Sequence, residues 1–472
     1  MAGVEFDEAV PLEAGVKVAI VGAGAAGLVA ALAAAEAGGE PLVIERDPVP
    51  CGSTALSAGL IPAAGTRWQR EHGIDDSAAQ FAADVARKAE GLTDSALVAR
   101  VTQASGPAIE WLAQTHALPF SLVDDFDYPG HSARRMHGLP SRSGAELIDR
   151  LRAAVEARGI PILTSAHVTT LIAAPDGRVR GLVAQRPDGT EERVGCNALV
   201  LACNGYGGNK DLVARHIPEL ADALYFGHPG NQGDAALWGT ALGAALEDMS
   251  GHQGHGSVAY PHGILITWAT MMEGGFQVNA EGCRFSDETH GYSEQAAVVL
   301  AQPEGIVFSI FDARIARVAR QFEDFRNAEA QGAVLAVDTV EALAALIEVP
   351  GAALGQTFAH VERCRRERTR DGFGRDWSAT AALEPAYHAV KVTGALFHTQ
   401  GGLAVDATAR VLRPGGTRLP NLFAAGGAAR GVSGPKASGY LSGNGLLTAV
   451  TLGQAAGRAA AELASGRGRH EP

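Results

Sequence analysis

The glycines of the run Gly22-Ala23-Gly24-Ala25-Ala26-Gly27 are spaced to hold a dinucleotide. Gly22 permits a tight turn, Gly24 lets the backbone approach a pyrophosphate, and Gly27 lets the following helix pack close to the preceding strand. The start of that helix presents unpaired N–H groups and the positive end of its dipole to the phosphates. Glu45 stands 18 residues beyond Gly27 and suits the ribose hydroxyls as an acceptor. A lone glycine-rich turn would say little, but here a strand, a helix and an acid stand in register around it. Both NAD and FAD fit this spacing.

Other residues carry potential chemistry. His131-Ser132-Ala133-Arg134-Arg135-Met136-His137, with Arg142 close behind, offers cations to a carboxylate or else forms a solvated basic face. His252 and His255 stand at HxxH spacing with His262 nearby, but no further ligand shares a helical register with them, so no metal is expected. The cysteines are Cys51, Cys196, Cys203, Cys283 and Cys364. They form no CxxC pair and are odd in number, so a reducing compartment is expected rather than a disulfide framework.

These residues need elements to position them. Val16 to Val21 reads as a strand, Gly27 to Ala37 as an Ala-rich helix and Pro41 to Glu45 as a second strand, together a βαβ unit. Ser77 to Ala117 and Gly144 to Arg158 read as helical. From Pro161 to Val200, alternating segments separated twice by Pro-Asp-Gly read as β-hairpins. A glycine-rich turn and a helix follow over Asn231 to Met249. Residues 250 to about 395 carry no nucleotide motif and read as a second lobe inserted in the first. Pro420 to Gly427 reads as a strand ending in glycines, and Gly443 to Leu463 as a long apolar helix.

The chain has 472 residues, 46% of them apolar and 19% charged, with 52 acidic against 39 basic residues and a net charge of −13. That length suggests two or three lobes of a globular protein. The acidic balance argues against nucleic acid or an anionic membrane as the main partner. The run Val18 to Ala35 approaches a membrane span in length, but its glycines belong to the dinucleotide motif. No secretory leader is legible in the acidic start of the sequence, and a cytoplasmic location is expected.

Three further stretches carry a family resemblance: Arg46 to Gly59 (RDPVPCGSTALSAG), Leu199 to Asn209 (LVLACNGYGGN) and Pro420 to Gly427 (PNLFAAGG). They resemble the FAD-binding segments of the fumarate reductase and 3-ketosteroid Δ1-dehydrogenase superfamily, in the same order over nearly the whole chain. The resemblance implies an α/β fold, a Rossmann-like FAD-binding domain (1–250 and 398–472) with an inserted α+β substrate, or capping, domain (251–397). It implies that Ser53, Thr54, Ser57 and Gly59 run past the flavin ring. Ser442, Gly443 and Asn444 would open a helix whose N-terminus points at the ring and stabilises its reduced anion. Further cofactor contacts are implied at Ala23, Ala26, Arg46 and Val168, at Ala202 and Gly205, and at Gly426, Leu446 and Leu447. Ser53 stands where membrane-bound relatives carry a flavin-linked His, so noncovalent FAD is expected. Gly427 stands where many relatives carry an acidic contact to FAD.

The resemblance also implies catalytic positions. The segment from Asp248 to His255 resembles one that ends in a substrate-binding His, and Phe397-His398-Thr399-Gln400-Gly401-Gly402 resembles the one that bears a second. The segment from Glu281 to Tyr292 matches EGxRFxNExxxR except that Tyr292 replaces the proton-donating Arg. Gly439 to Asn444 matches NRLGGN except that Tyr440 replaces the second Arg. Loss of both guanidiniums removes the carboxylate clamps of a fumarate enzyme. Tyrosine at both positions resembles the ketosteroid dehydrogenases, in which one Tyr removes the α-proton and the other, with a backbone N–H here assigned to Gly443, holds the ketone oxygen. A phenol, with an ordinary pKa of about 10, serves as base or donor where its surroundings tune it. Asp127-Tyr128-Pro129 resembles the segment that supplies a supporting Tyr.

The expected activity is therefore dehydrogenation of a small cyclic ketone, with 4-oxocyclohexanecarboxylate as one form, Arg134 and Arg135 meeting its carboxylate, and an external acceptor (oxygen, a quinone or a carrier) taking the electrons. An enoate reductase of the fumarate or urocanate type, a 3-ketosteroid Δ1-dehydrogenase and a substrate-free flavin electron carrier are the alternatives. As residues alone, Tyr292, Tyr440 and Tyr128 are also readable as packed aromatics, His398 as a backbone-orienting group and Arg284 as structural.

Overall fold

The computed structural model describes residues 3–12, 14–124 and 128–466. Contacts divide the chain into two units. One comprises the chain up to Ile217, Gly227–His252 and the chain from His398 onward; the other comprises Pro218–Phe226 and Gln253–Phe397.

In the first unit, β1 (Ala14–Val21), α1 (Ala25–Glu36) and β2 (Pro41–Ile44) form the βαβ unit, with Val18–Val21 parallel to Pro41–Ile44. Among the helices that follow are α2 (Ser95–Thr115) and α3 (Gly144–Ala157). Each begins on a residue whose side chain accepts backbone N–H groups, Asp94 for α2 and Ser143 for α3. The antiparallel meander β3 (His167–Ala173), β4 (Val179–Gln185) and β5 (Glu191–Leu201) comes next. The Pro-Asp-Gly turns join these strands, with Gly177 and Gly189 in the left-handed region at φ +86°.

The second unit is built on β6 (His252–Ala259), α4 (Tyr292–Leu300), β7 (Ile306–Asp312) and β8 (Tyr387–Thr399). Strand β8 is central in its seven-stranded sheet, next to β6 and antiparallel to β7. Phe276, Phe311, Phe325 and Trp377 are fully buried in its core. The chain then returns to the first unit with β9 (Arg418–Ala424) and α5 (Asn444–Ala464).

β5 changes partners along its length. Glu191–Gly195 pairs antiparallel with β4, Val194–Leu201 pairs parallel with β1, and Leu199–Leu201 pairs parallel with β9. The C-terminal ends of β1, β2, β5 and β9 therefore lie along one edge of the sheet, the edge at which open parallel sheets bind ligands.

Helix α1 has no polar face; Ala25 through Ala34 are all buried. It packs on α5 with backbones in near contact. A Cβ at Gly453 would lie 2.6 Å from the Ala26 carbonyl oxygen, and one at Gly457 would overlap the Ala30 carbonyl. Among the described residues, no helix is long and apolar enough to cross a membrane; the run Val18 to Ala35 forms the end of β1 and most of α1.

Substituting Gly457→Val forces a branched side chain into this contact. The expected loss is about 1–3 kcal/mol, read as a lower urea midpoint, with cofactor content falling in parallel. An unchanged midpoint would mean that the two helices are not held this closely.

Candidate active site

The loops at the sheet edge are tied to one another. Gly22 packs on the Ala202 carbonyl, where a Cβ would come within 2.5 Å, and Gly426 packs on Ala26, where a Cβ would come within 3.0 Å. Glu45 is buried and accepts from the backbone N–H of Ala23 at 2.7 Å and of Asp47 at 2.9 Å. Its carboxylate thus closes the glycine loop, and each oxygen keeps a lone pair for a ribose hydroxyl. Thr54 accepts from Ala25 N at 3.2 Å, in the first turn of α1. The Ser53–Gly59 stretch therefore begins beside the start of α1. Ser57 shapes that stretch: its hydroxyl donates to the Thr54 carbonyl at 2.7 Å and accepts from Gly59 N at 3.1 Å. A bulge in the β3–β4 pairing follows Val168.

Ser53 is held from the far side of the loop. Its oxygen accepts from His228 N at 3.1 Å and from the Asn231 side chain at 2.8 Å, leaving its O–H to donate. Arg46 donates to the Gly230 carbonyl at 2.9 Å, and a side chain at Gly230 would collide with the guanidinium. This contact was not legible in the sequence, since Arg46 and Gly230 are 184 residues apart. Asp47, Cys51 and His228 also converge. His228 Nδ1 accepts from Gly230 N at 3.1 Å, so Nε2 carries the proton and points 2.9 Å to Asp47. That is a hydrogen bond rather than a metal pair.

The cationic segment is committed to the fold, which corrects the expected substrate role of Arg135. Arg135 is fully buried and binds Asp76 at 2.8 Å and Asp84 at 2.6 Å. Burial pushes the Asp84 carboxyl up, but bonds from Ser132, Arg87 and Arg135 prevail and hold it at about 2. His137 lies between Thr66 and the Arg135 carbonyl. His131 Nε2 lies 3.0 Å from the Ser442 carbonyl and donates to it. Arg134 is exposed and donates to the Asp124 carbonyl at 2.7 Å. Tyr128 lines a small recess with His131, Arg134 and Met136; its neighbour Asp127 lies outside the described residues.

Four of the five expected catalytic residues fall into two His–Tyr pairs, one in each unit. In the first unit, His398 and Tyr440 meet edge to face, with ring centroids 5.3 Å apart. The imidazole lies against Gly445 in the first turn of α5, where a Cβ would be 3.0 Å from Nε2. Gly443, in the left-handed conformation at φ 86°, starts this helix. Asn444 is fully buried and, among the described residues, its Oδ1 has no hydrogen-bond partner, so an acceptor at the helix start awaits a donor. Together with the glycine cradle and Glu45, it makes the residues present fit a bound flavin dinucleotide.

In the second unit, His255 stacks on Tyr292 at 5.1 Å and on Phe397 at 5.3 Å, while Trp268 meets it edge-on at 5.6 Å. Phe226 stacks in turn on Phe397. Sequence reading missed Trp268 and Phe226, whose role comes from long-range packing. His255 Nδ1 accepts from Ser257 N at 3.1 Å, so the neutral ring carries its proton on Nε2. Arg284 proves structural: it binds Glu288 at 2.7 Å and also Asp371, while Arg375 binds Glu288 at 2.8 Å over the Trp377 ring. This buried network fixes the loop that delivers Tyr292 to the start of α4.

Comparison with known proteins agrees with this geometry. The FAD binding domain family is matched over residues 17–446. The chain is 31% identical to a probable fumarate reductase of Shewanella frigidimarina, over 95% of this chain and 75% of that protein. It is 27% identical to a urocanate reductase of Eggerthella lenta, over 95% of this chain and 75% of that protein. A solved flavocytochrome c3 fumarate reductase in an open conformation superposes with a TM-score of 0.83 at 30% identity, covering 96% of this chain and 79% of that one. A 3-ketosteroid-Δ4-(5α)-dehydrogenase from Rhodococcus jostii shares the fold, with a TM-score of 0.77 at 23% identity over 98% of this chain and all of that one.

Burial drives both histidines of the pairs down from the ordinary 6.5, His398 to about 4 despite its contact with the Thr399 carbonyl, and His255 to about 3. Below pH 6.5 the unfolded chain takes up protons that the native sites refuse. The stability these histidines contribute is therefore complete above about pH 6.5 and declines as pH falls towards their native values. His131 and His137, each at about 4, act in the same direction. Urea unfolding between about pH 7 and pH 5 is expected to show this loss, and to show less of it in His255→Gln. An identical slope in the variant would mean that His255 is not held neutral.

Proposed function

The chain belongs to the FAD binding domain family and is an FAD-dependent oxidoreductase acting on CH–CH groups; we propose that its substrate is a small cyclic ketone, in which it introduces a C=C bond α,β to the carbonyl. The observation that carries this reading is the charge state of the chemistry-bearing groups. His255 is buried and His398 half-buried, both with pKa values held low so that they are neutral, the two arginine clamp positions hold tyrosines, and Arg135 and Arg284 are each bound by two carboxylates. Uncharged donors suit a ketone oxygen, which gains charge as the reaction proceeds, better than a dicarboxylate, which arrives charged. The rings of Phe226, Trp268, Tyr292 and Phe397 add flat apolar surface suited to a ring.

FAD, when bound, supplies the acceptor for the hydride that leaves the β-carbon. It is held by Gly22, Gly24, Glu45, Ser53, Thr54 and the start of α5. In this reading Tyr292 removes the α-proton. Tyr440 and the Gly443 N–H hold the ketone oxygen as the enolate forms, and His398 donates beside them. Tyr128 supports the base. An external oxidant, whether oxygen, a quinone or a carrier, then takes the electrons. FAD is bound without a covalent link, because Ser53 stands at the linkage position. The five free cysteines support a reducing, cytoplasmic setting.

Enoate reduction is the second reading, favoured by the similarity to fumarate and urocanate reductases. It runs the same chemistry backwards, with Tyr292 as proton donor.

Anaerobic mixing of the oxidised protein with cyclohexanone, 4-oxocyclohexanecarboxylate, a 3-ketosteroid and succinate separates these readings. Bleaching of the flavin colour is expected with a small cyclic ketone. No bleaching by any ketone, with reoxidation of the reduced protein by fumarate or urocanate, would replace the proposal with the second reading. Tyr292→Phe and Tyr440→Phe are each expected to retain FAD and lose about 10²–10⁴-fold in turnover; wild-type turnover in both would remove their roles. Acid precipitation is expected to leave all the flavin in the supernatant, and yellow colour in the pellet would show a covalent link.

A further inference from the structure

A chain of buried hydrogen bonds runs from the start of α5 to His398. The Asn444 side-chain amide donates to Ser433 Oγ at 3.0 Å, Ser433 donates to Gln400 Oε1 at 2.7 Å, and Gln400 Nε2 lies 2.9 Å from His398 Nδ1. Gln400, Ser433 and Asn444 are 5%, 1% and 0% exposed, so bulk water does not compete for these bonds. Ser433 and Gln400 each have one donor and one acceptor in use, and the chain has a direction. An amide NH₂ only donates, so His398 Nδ1 accepts and the ring proton resides on Nε2.

The opposite direction would turn both amides over. It would place the unpartnered NH₂ of Asn444, instead of its oxygen, in the first turn of α5. The positive end of a 21-residue helix favours the oxygen there. The contact of Nδ1 with the Thr399 carbonyl is longer, at 3.4 Å, and yields to the Gln400 bond. Tyr440 and His252 are titratable groups that face His398.

We propose that Gln400 is a positioning residue that, braced by Ser433 and Asn444, fixes His398 as the Nε2–H tautomer and so makes it a hydrogen-bond donor to the substrate carbonyl. The donor role rests on the ketone reading above; the tautomer does not. A base would need the opposite arrangement, with a bare Nε2. Gln400→Glu removes the donor and supplies an acceptor of the same shape, which draws the proton to Nδ1.

The test is nitrogen-15 NMR of histidine-labelled holoenzyme, with the His398 signals assigned by their loss in His398→Gln. The expected wild-type pattern is Nε2–H, changing in Gln400→Glu to Nδ1–H or to the doubly protonated ring, with a pH titration moved upward. Ser433→Ala, which breaks the chain without adding charge, is expected to give a mixture of tautomers. With a ketone substrate, Gln400→Glu is expected to lower kcat by about 10²-fold, the scale of losing one oxyanion donor, with little change in KM. An Nδ1–H ring in the wild-type protein, or His398 signals unmoved in Gln400→Glu, would overturn the proposal. Should no ketone react while the tautomer pattern holds, the substrate reading fails and the Gln400 assignment stands.

Discussion

The contact on which the rest of the site depends is made with almost no side chain at all. Helices α1 and α5 touch through Ala26 and Ala30 on one side and Gly453 and Gly457 on the other. Larger residues would hold the axes farther apart and leave the dispersion contacts of two long apolar helices unmade. Because each helix is rigid along its length, this contact also fixes where each begins. The start of α1 is the phosphate end of the dinucleotide cradle, and the start of α5 carries Gly443, Asn444 and the surface on which His398 rests. Two positive helix ends are thereby held at a set separation in the first unit, and a dinucleotide is an anion at one end and a ring that becomes anionic on reduction at the other.

A second constraint concerns charge. A buried cation costs several kcal/mol to desolvate unless it is paired, and here each deeply buried arginine discussed above has carboxylate partners. Arg135 sits between Asp76 and Asp84, and Arg284 and Arg375 share Glu288, with Asp371 adding to Arg284. These groups shape loops. In the proposed reading, the groups left for chemistry are phenols, neutral imidazoles and backbone amides, none of which carries a fixed positive charge.

What was legible in the sequence follows from range. The βαβ unit, the Pro-Asp-Gly hairpins and the helix after Gly443 are set by periodicity and turn chemistry within a few residues, and they are found where that reading puts them. Arg135 was misread because the two acids that bind it lie 59 and 51 residues away, and a basic run in sequence carries no sign of its partners. Gln400 was read only as part of the segment that bears His398, since its brace, Ser433, lies 33 residues on. The aromatic surroundings of His255 come from Phe226, Trp268, Tyr292 and Phe397, four residues spread over most of the inserted unit. Local rules position backbone, whereas the character of the site is set by contacts that join distant segments.

The bond from His131 to the Ser442 carbonyl spans 311 residues of sequence and acts on a single peptide group. The carbonyl of Ser442 and the N–H of Gly443 belong to one planar trans amide, so a donor on the oxygen fixes the plane and turns the N–H to the opposite side. It also draws electron density towards the oxygen and leaves the amide hydrogen more positive, the cooperative strengthening expected when hydrogen bonds join in series. His131 in turn lies 3.4 Å from the Arg135 guanidinium. A buried ion pair in the first third of the chain is thus joined, through one imidazole, to a single peptide group near its end.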